Sequence, residues 1–205
     1  MIGDTVYRYR DALYLNITNR CPTACVFCIK KPWDMGYRGY DLRLEVESPA
    51  REILDRIGDQ AAGREVVFCG FGEPTYRLDA MADICAGLRR KGASLIRLNT
   101  VGLGSLIHGR DITPELARML DAATVSLNTS DPAEWVRTHR PLPAFREQGF
   151  SAVLEFIRGC VRGGLQTVVT AVEVPGLAVE PFRALVAGLG AECRLRPVLE
   201  VTPKT

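Results

Sequence analysis

The stretch Ala12-Leu-Tyr-Leu-Asn-Ile-Thr18, followed at once by Asn19-Arg-Cys21-Pro-Thr-Ala-Cys25-Val-Phe-Cys28, decides how the rest of the chain is read. Its first half alternates Leu13, Leu15 and Ile17 with Tyr14, Asn16 and Thr18, the period-two pattern of a strand with one apolar and one polar face. Its second half puts three cysteines within eight residues, on the loop that leaves that strand. Five further strand-like runs follow, at residues 65–71, 94–100, 123–128, 166–174 and 192–198. They are rich in Val, Ile, Leu and Thr, and most are bounded by Gly, Asn or Asp.

Helical patterns lie between the strands. Ser48 is placed to cap a helix that starts at Pro49 and carries Ile53, Leu54 and Ile57 on one face. A second spans about residues 79–91 and stops at Gly92. Thr113-Pro-Glu115 opens a third, with Leu116, Met119 and Leu120 turned inward. A fourth begins near Ser151, carries Val153, Leu154, Phe156 and Ile157, and ends at Gly163-Gly164; a fifth covers about residues 180–189. Between Asp131 and Phe150, Pro132, Pro141 and Pro143 allow only short helical pieces.

Strand and helix alternate about six times, which implies parallel strands joined by right-handed crossovers. A doubly wound open sheet and a barrel-like sheet both fit that rhythm. Side-chain parity separates them. Ile96 and Leu98 alternate with Arg97 and Asn99, and Val125 and Leu127 with Thr124, Ser126 and Asn128. A flat parallel sheet covered on both faces is apolar on both, whereas here one face is polar. The expected fold is therefore α/β: a partial (β/α)6 TIM-like barrel, one domain over residues 1–205, with a polar lumen and an open side. The doubly wound sheet remains the alternative. The chain ends almost where the sixth strand does, so no accessory module is expected after it.

Composition fits a globular chain and narrows its surroundings. Of 205 residues 47% are hydrophobic and 24% charged, which excludes disorder and fibrous repeats. The net charge of +2 gives no nucleic-acid or polybasic membrane footprint. No apolar run is long enough to cross a bilayer, and the first residues lack the features of a signal peptide. Seven cysteines, an odd number, argue against a disulfide framework and for a reducing, cytoplasmic location.

Cys21, Cys25 and Cys28 leave the first strand at the C-terminal edge of the sheet, where parallel α/β proteins place their chemistry. Three thiolates on one short loop suit a metal centre. Structural zinc wants four ligands, and the only histidines, His108 and His139, lie far along the chain. A [4Fe–4S] cluster held by three cysteines fits better and leaves one iron open to a small molecule. A zinc or iron–sulfur module without catalysis is the alternative from another class.

The C-x3-C-x2-C spacing, with Phe27 before the last cysteine and the whole loop after the first strand, resembles the signature of radical S-adenosylmethionine (SAM) enzymes. The resemblance implies that the open iron binds the methionine part of SAM. Reductive cleavage then gives a 5′-deoxyadenosyl radical, which abstracts hydrogen from a substrate. Gly70-Phe-Gly72-Glu73-Pro74-Thr75 is similar to the segment that binds the methionine amino group in that superfamily, with Phe71 in place of a glycine. Glycine lets backbone approach a ligand, and a carboxylate can accept from an ammonium. By the same resemblance Asn99, Ser126 and Asn128 are candidates for SAM contacts at the strand ends, and Val172 and Phe27 for backbone beside the adenine. Segments such as Tyr14-Leu-Asn-Ile-Thr-Asn-Arg-Cys21, Asn99-Thr-Val-Gly-Leu-Gly104 and His108-Gly-Arg-Asp-Ile112 look like the short TatD-associated radical SAM proteins. Glycyl-radical-enzyme activases and 7-carboxy-7-deazaguanine synthases, which also use short barrels, set the alternative functions.

The remaining residues bear on substrate and partners. Arg97, Arg194 and Arg196 share the polar parity, so a small anionic substrate is expected in the lumen. His108, on a glycine-rich loop, is either a proton carrier or a solvated side chain. Cys69, Cys85 and Cys160 read as packing residues, Cys193 as a possible hydrogen-atom donor, and His139 has no evident partner. Lys30, Lys31, Arg38 and Arg43 make the cluster loop basic, a face suited to an acidic flavodoxin or ferredoxin as electron donor. A partner protein closing the barrel is a further expectation; nucleic acid and membrane are not expected.

Overall fold

Arg10, at a φ of 53°, turns the chain back and gives the sheet an edge strand that the sequence pattern does not signal. In the computed structural model, which describes residues 3–199, β1 (Val6–Tyr9) runs antiparallel to β2 (Ala12–Leu15), pairing Tyr9 with Ala12. The extreme ends of the expected 1–205 domain lie outside the described residues. A two-residue turn at Arg38 and Gly39, both with positive φ, makes a small hairpin of β3 (Gly36–Tyr37) and β4 (Tyr40–Asp41) within the loop after β2.

The βα rhythm follows: α1 (Ala50–Ile57), β5 (Glu65–Phe68), a 3₁₀ turn at Pro74–Arg77, α2 (Leu78–Arg90), β6 (Leu95–Thr100), α3 (Gly104–His108), α4 (Thr113–Met119) and β7 (Ala122–Ser126). Then come α5 (Pro132–His139), α6 (Pro143–Arg146), α7 (Gly149–Arg162), β8 (Gln166–Val172), α8 (Val179–Gly188) and β9 (Glu192–Arg196). Gly92, at a φ of 76°, ends α2 as its position suggests. Ser48 is buried but makes no capping hydrogen bond; Pro49 occupies the cap position of α1.

The sheet order is β1-β2-β5-β6-β7-β8-β9, and every pair from β2 onward is parallel. A doubly wound sheet must reverse its direction of growth at a switch point. Here each crossover steps the same way, which keeps the helices on one face and curls the sheet as a barrel that does not close. The expected partial (β/α)6 TIM-like architecture is the observed one, and the doubly wound alternative falls.

The two faces differ as their side chains dictate. Leu13, Leu15, Val66, Phe68, Ile96, Leu98, Val125 and Val169 are fully buried under the helices, packed with Ile53, Met81, Leu116 and Phe156. Across the other face the register aligns Asn99 with Thr124, Ser126 with Thr170, Thr170 with Arg194, and Val172 with Arg196. That polar row lines the concave side. At one end of it Tyr7, Leu42 and Phe71 form a second apolar cluster with Tyr14, Tyr37 and Tyr40, by which the β3–β4 hairpin is held against the sheet. Among the described residues no helix is long and apolar enough to cross a membrane.

Candidate active site

The three cysteines lie on the loop between β2 and β3. All are half-buried and none is in a disulfide. The hydroxyl of Thr23 joins two of them, lying 3.4 Å from Cys21 Sγ and 3.3 Å from Cys25 Sγ, while Cys28 N–H donates to Cys25 O at 3.1 Å. Burial pushes the Cys25 thiol up to about 12, with the sulfurs of Cys21 and Cys28 adding to it and Thr23 opposing. Burial likewise raises Cys21.

What holds this loop is the proline-rich segment after α5. Ala24 N–H donates to the carbonyls of His139 and Arg140, Val26 N–H to Thr138 O, and Leu142 N–H to Pro22 O. Asp131 caps the start of α5 by accepting from Glu134 N–H at 2.6 Å, Pro132 occupies its first turn, and Arg140 ends it in the left-handed region at a φ of 46°. The last residue of that helix, His139, is fully buried. Its Nδ1 lies 3.6 Å from Cys25 Sγ, and its Nε2 lies 3.1 Å from Asn128 Nδ2 and 3.2 Å from Leu127 O. The ring stacks on Trp135 and meets Phe27 edge-on. Burial lowers His139 to about 4, so its imidazole is neutral at pH 7. Sequence reasoning missed this residue because 114 positions separate it from Cys25.

The Gly-Phe-Gly-Glu-Pro segment follows β5 and packs directly on the entry to the cysteine loop. A Cβ on Gly72 would come within 2.3 Å of Thr18 O and 2.8 Å of Arg20 O, so only glycine fits there. Glu73 N–H donates to Arg20 O at 2.8 Å, and Pro74 opens the 3₁₀ turn. The Glu73 carboxylate points into the protein and is 1% exposed. It accepts from Val101 N–H at 2.7 Å, from the Thr75 hydroxyl at 2.8 Å and amide at 3.2 Å, and from the Thr100 hydroxyl at 2.9 Å on each oxygen. Burial pushes its carboxyl above the ordinary range while these bonds oppose the shift. Glu73 thus ties the end of β5 to the end of β6, with both oxygens engaged by protein donors rather than turned toward a ligand. His108 Nε2–H braces the same turn by donating to Thr75 O at 2.7 Å.

The strand-end candidates are gathered at the same mouth. Asn99 Oδ1 accepts from Arg97, and Ser126 is half-buried on the concave face. Asn128, at a φ of 64°, accepts at Oδ1 from Val172 N–H at 3.0 Å, so its amide is engaged inside the protein at both ends. Phe27 is half-buried beside His139.

The lumen arginines are less free than their parity suggests. Arg97 pairs with Glu65 at 2.6 Å and Arg194 with Glu192 at 3.0 Å, whereas Arg196 has no carboxylate partner among the described residues. Cys69 is half-buried on the concave side, near Asn99, Arg97 and Tyr7. Cys85 and Cys160 are in the core. Cys193 aligns with the buried Val169 and packs against the helices, away from the lumen. Of the four basic residues near the cluster loop, Arg43 pairs with Asp34 and Arg38 stacks on Tyr9 and Tyr37.

The donor set, three free and half-buried cysteine sulfurs on one loop, has the chemistry that a [4Fe–4S] cluster takes as ligands. A cluster, in which each cysteine takes a different iron, asks for sulfurs spread around a cube.

Comparison with known proteins agrees with this geometry. A family model described as the Radical SAM superfamily matches residues 15–187. That family uses a [4Fe–4S] cluster and SAM. A tungsten-containing aldehyde ferredoxin oxidoreductase cofactor-modifying protein of Pyrococcus furiosus is 29% identical over 117 residues, which is 56% of this chain and 28% of that protein. The chain therefore spans under a third of this curated relative. Among solved structures, Streptococcus suis SuiB bound to its precursor peptide SuiA superposes with a TM-score of 0.69 at 16% identity, covering 96% of this chain and 41% of SuiB. A radical SAM methyltransferase of Sphaerobacter thermophilus gives 0.62 at 17% identity, covering 96% and 69%. At such identities the structural likenesses show a shared fold.

Proposed function

The chain belongs to the radical SAM superfamily and is an enzyme of that class, and from that premise we propose that Cys21, Cys25 and Cys28 hold its [4Fe–4S] cluster above the mouth of the barrel. When bound, the cluster supplies one electron to cleave SAM reductively to methionine and a 5′-deoxyadenosyl radical. The observation that carries this reading is the placement of the three-cysteine loop. It is stitched to residues 138–142 on one side and to the Gly72–Glu73 turn on the other, at the C-terminal ends of the parallel strands.

The chain's own residues divide the remaining work. Gly72 lets the backbone approach the cluster loop closely. Glu73 acts by fixing that turn, since Thr75, Thr100 and Val101 use its oxygens; the turn's backbone, with Pro74, is then what faces the methionine amino group. Asn99 and Ser126 line the concave face where the ribose would lie, and Val172 and Phe27 border the adenine. Asn128 shapes this wall through its bond to Val172.

The substrate is a small molecule held in the polar lumen, with an anionic group met by Arg196, the lumen arginine that has no carboxylate partner among the described residues. Exposed Lys31 and half-buried Lys30 beside the cluster loop suit an acidic flavodoxin or ferredoxin as electron donor. The edge at β9 offers a place for a partner that closes the barrel. Residues 1–205 are read as a radical SAM core domain, and a reducing cytoplasm suits its free thiols. Anaerobic reconstitution with iron and sulfide, followed by a dithionite-dependent assay for 5′-deoxyadenosine, tests the reading. Iron bound without SAM cleavage would favour a non-catalytic module instead.

A further inference from the structure

We infer that His139 is a positioning residue for the cluster, its Nδ1–H donating to the sulfur of Cys25, and that Asn128 sets the tautomer that makes this possible. The inference rests on the reading of Cys25 as a cluster ligand.

The proton's place follows from groups whose roles are fixed. Val172 N–H can only donate, and it lies 3.0 Å from Asn128 Oδ1. The amide oxygen therefore faces Val172, and the NH2 faces His139 Nε2 at 3.1 Å. An NH2 also only donates, so Nε2 must present its lone pair. Leu127 O lies 3.2 Å from the same nitrogen and could accept from it in the other tautomer, but it keeps its hydrogen bond from Thr129 N–H at 2.9 Å when Nε2 carries the lone pair, whereas the Asn128 NH2 has no such second partner among the described residues. The opposite tautomer would set an N–H against an NH2 in a buried place and leave the amide hydrogen unpaired. The proton is accordingly on Nδ1, 3.6 Å from Cys25 Sγ, within reach of an N–H···S hydrogen bond.

The geometry around this bond is rigid. Trp135 stacks on the imidazole with its plane tilted by only 20° and Phe27 closes its edge. Ala24 and Val26 tie the backbone on either side of Cys25 to His139, Arg140 and Thr138, so donor and acceptor move together. Such an arrangement orients a ligand and tunes its metal. A hydrogen bond to a cluster sulfur stabilises the more negative, reduced state and raises the potential. The electron comes from the external donor, and no proton leaves Nδ1.

The test is a redox titration of the reconstituted holoenzyme followed by electron paramagnetic resonance, comparing wild type with His139→Phe and His139→Asn. Phe keeps a ring on Trp135 but has no N–H; Asn places an NH2 near the position of Nδ1. With His139→Phe, the ratio of reduced to oxidised cluster at a fixed potential is expected to fall about tenfold or more, about 59 mV for one electron. His139→Asn should restore it. A His139→Phe protein that keeps its iron and titrates like wild type overturns the inference. Should that variant not fold, pulsed resonance on wild type labelled with 15N-histidine decides instead. A weak coupling to one histidine nitrogen supports the bond, while no coupling, or one as strong as a direct iron–nitrogen bond, overturns it. A wild-type chain that binds no iron overturns the cluster reading and this inference together; iron with a silent histidine overturns the inference alone.

Discussion

The hydroxyl of Thr100, at the end of β6, lies 2.9 Å from both carboxylate oxygens of Glu73, in the turn that follows β5. This contact joins two adjacent strand ends under the turn proposed to bind SAM. Thr100→Val removes the donor and leaves a buried carboxylate short of a partner. It should lower stability by about 2 kcal/mol and weaken SAM binding while iron content is retained. Urea unfolding with a SAM-binding titration checks both.

Gly72→Ala forces a methyl group against the carbonyls of Thr18 and Arg20. Backbone cannot yield as a flexible side chain would, so the strand exit and the turn must separate. A loss of about 1–3 kcal/mol and of most SAM affinity is expected, read by thermal unfolding and equilibrium binding.

The cysteines should separate into two classes. Cys25→Ala is expected to abolish iron binding and SAM cleavage together. Cys160→Ala, on the buried face of α7, should keep both and cost about 1 kcal/mol of stability through lost packing. Iron analysis beside denaturant unfolding distinguishes them.

Acid should expose the burial of His139. Its ordinary value of 6.5 is lowered to about 4 in the fold, so between those pH values the unfolded chain binds a proton that the folded chain refuses. The stability contributed is present above pH 6.5 and is lost as pH falls towards 4, by roughly 3 kcal/mol in all. In iron-free protein, His139→Asn should show a shallower fall over that window. Equal slopes for the two proteins would contradict it.

Arg196→Gln should leave SAM cleavage without substrate unchanged and raise KM for an anionic substrate at least about tenfold, as loss of a charged hydrogen bond implies. Steady-state assays across a panel of small acids provide the measurement.

Much of the fold was legible because local rules carried it. The alternation of Leu13, Leu15 and Ile17 with polar neighbours marked β2 and its faces, and Gly92 ended α2 where its left-handed φ was needed. β1 escaped notice because its turn uses Arg10 rather than glycine or asparagine at positive φ. The cysteine loop and the Gly-Glu-Pro turn stood out as motifs, but their side-chain partners did not. Thr100 and Val101 reach Glu73 from 27 and 28 positions away, and Glu65 neutralises Arg97 from 32. His139 was invisible for the same reason: β7 and α5 must both be in place before it meets Cys25.

The most direct test of the account is the yield of 5′-deoxyadenosine from anaerobically reconstituted protein with SAM and dithionite. Roughly four irons per chain are expected, with 5′-deoxyadenosine that disappears in Cys25→Ala. A protein that stays colourless and iron-free after reconstitution, or one that binds iron yet releases no 5′-deoxyadenosine, would contradict it.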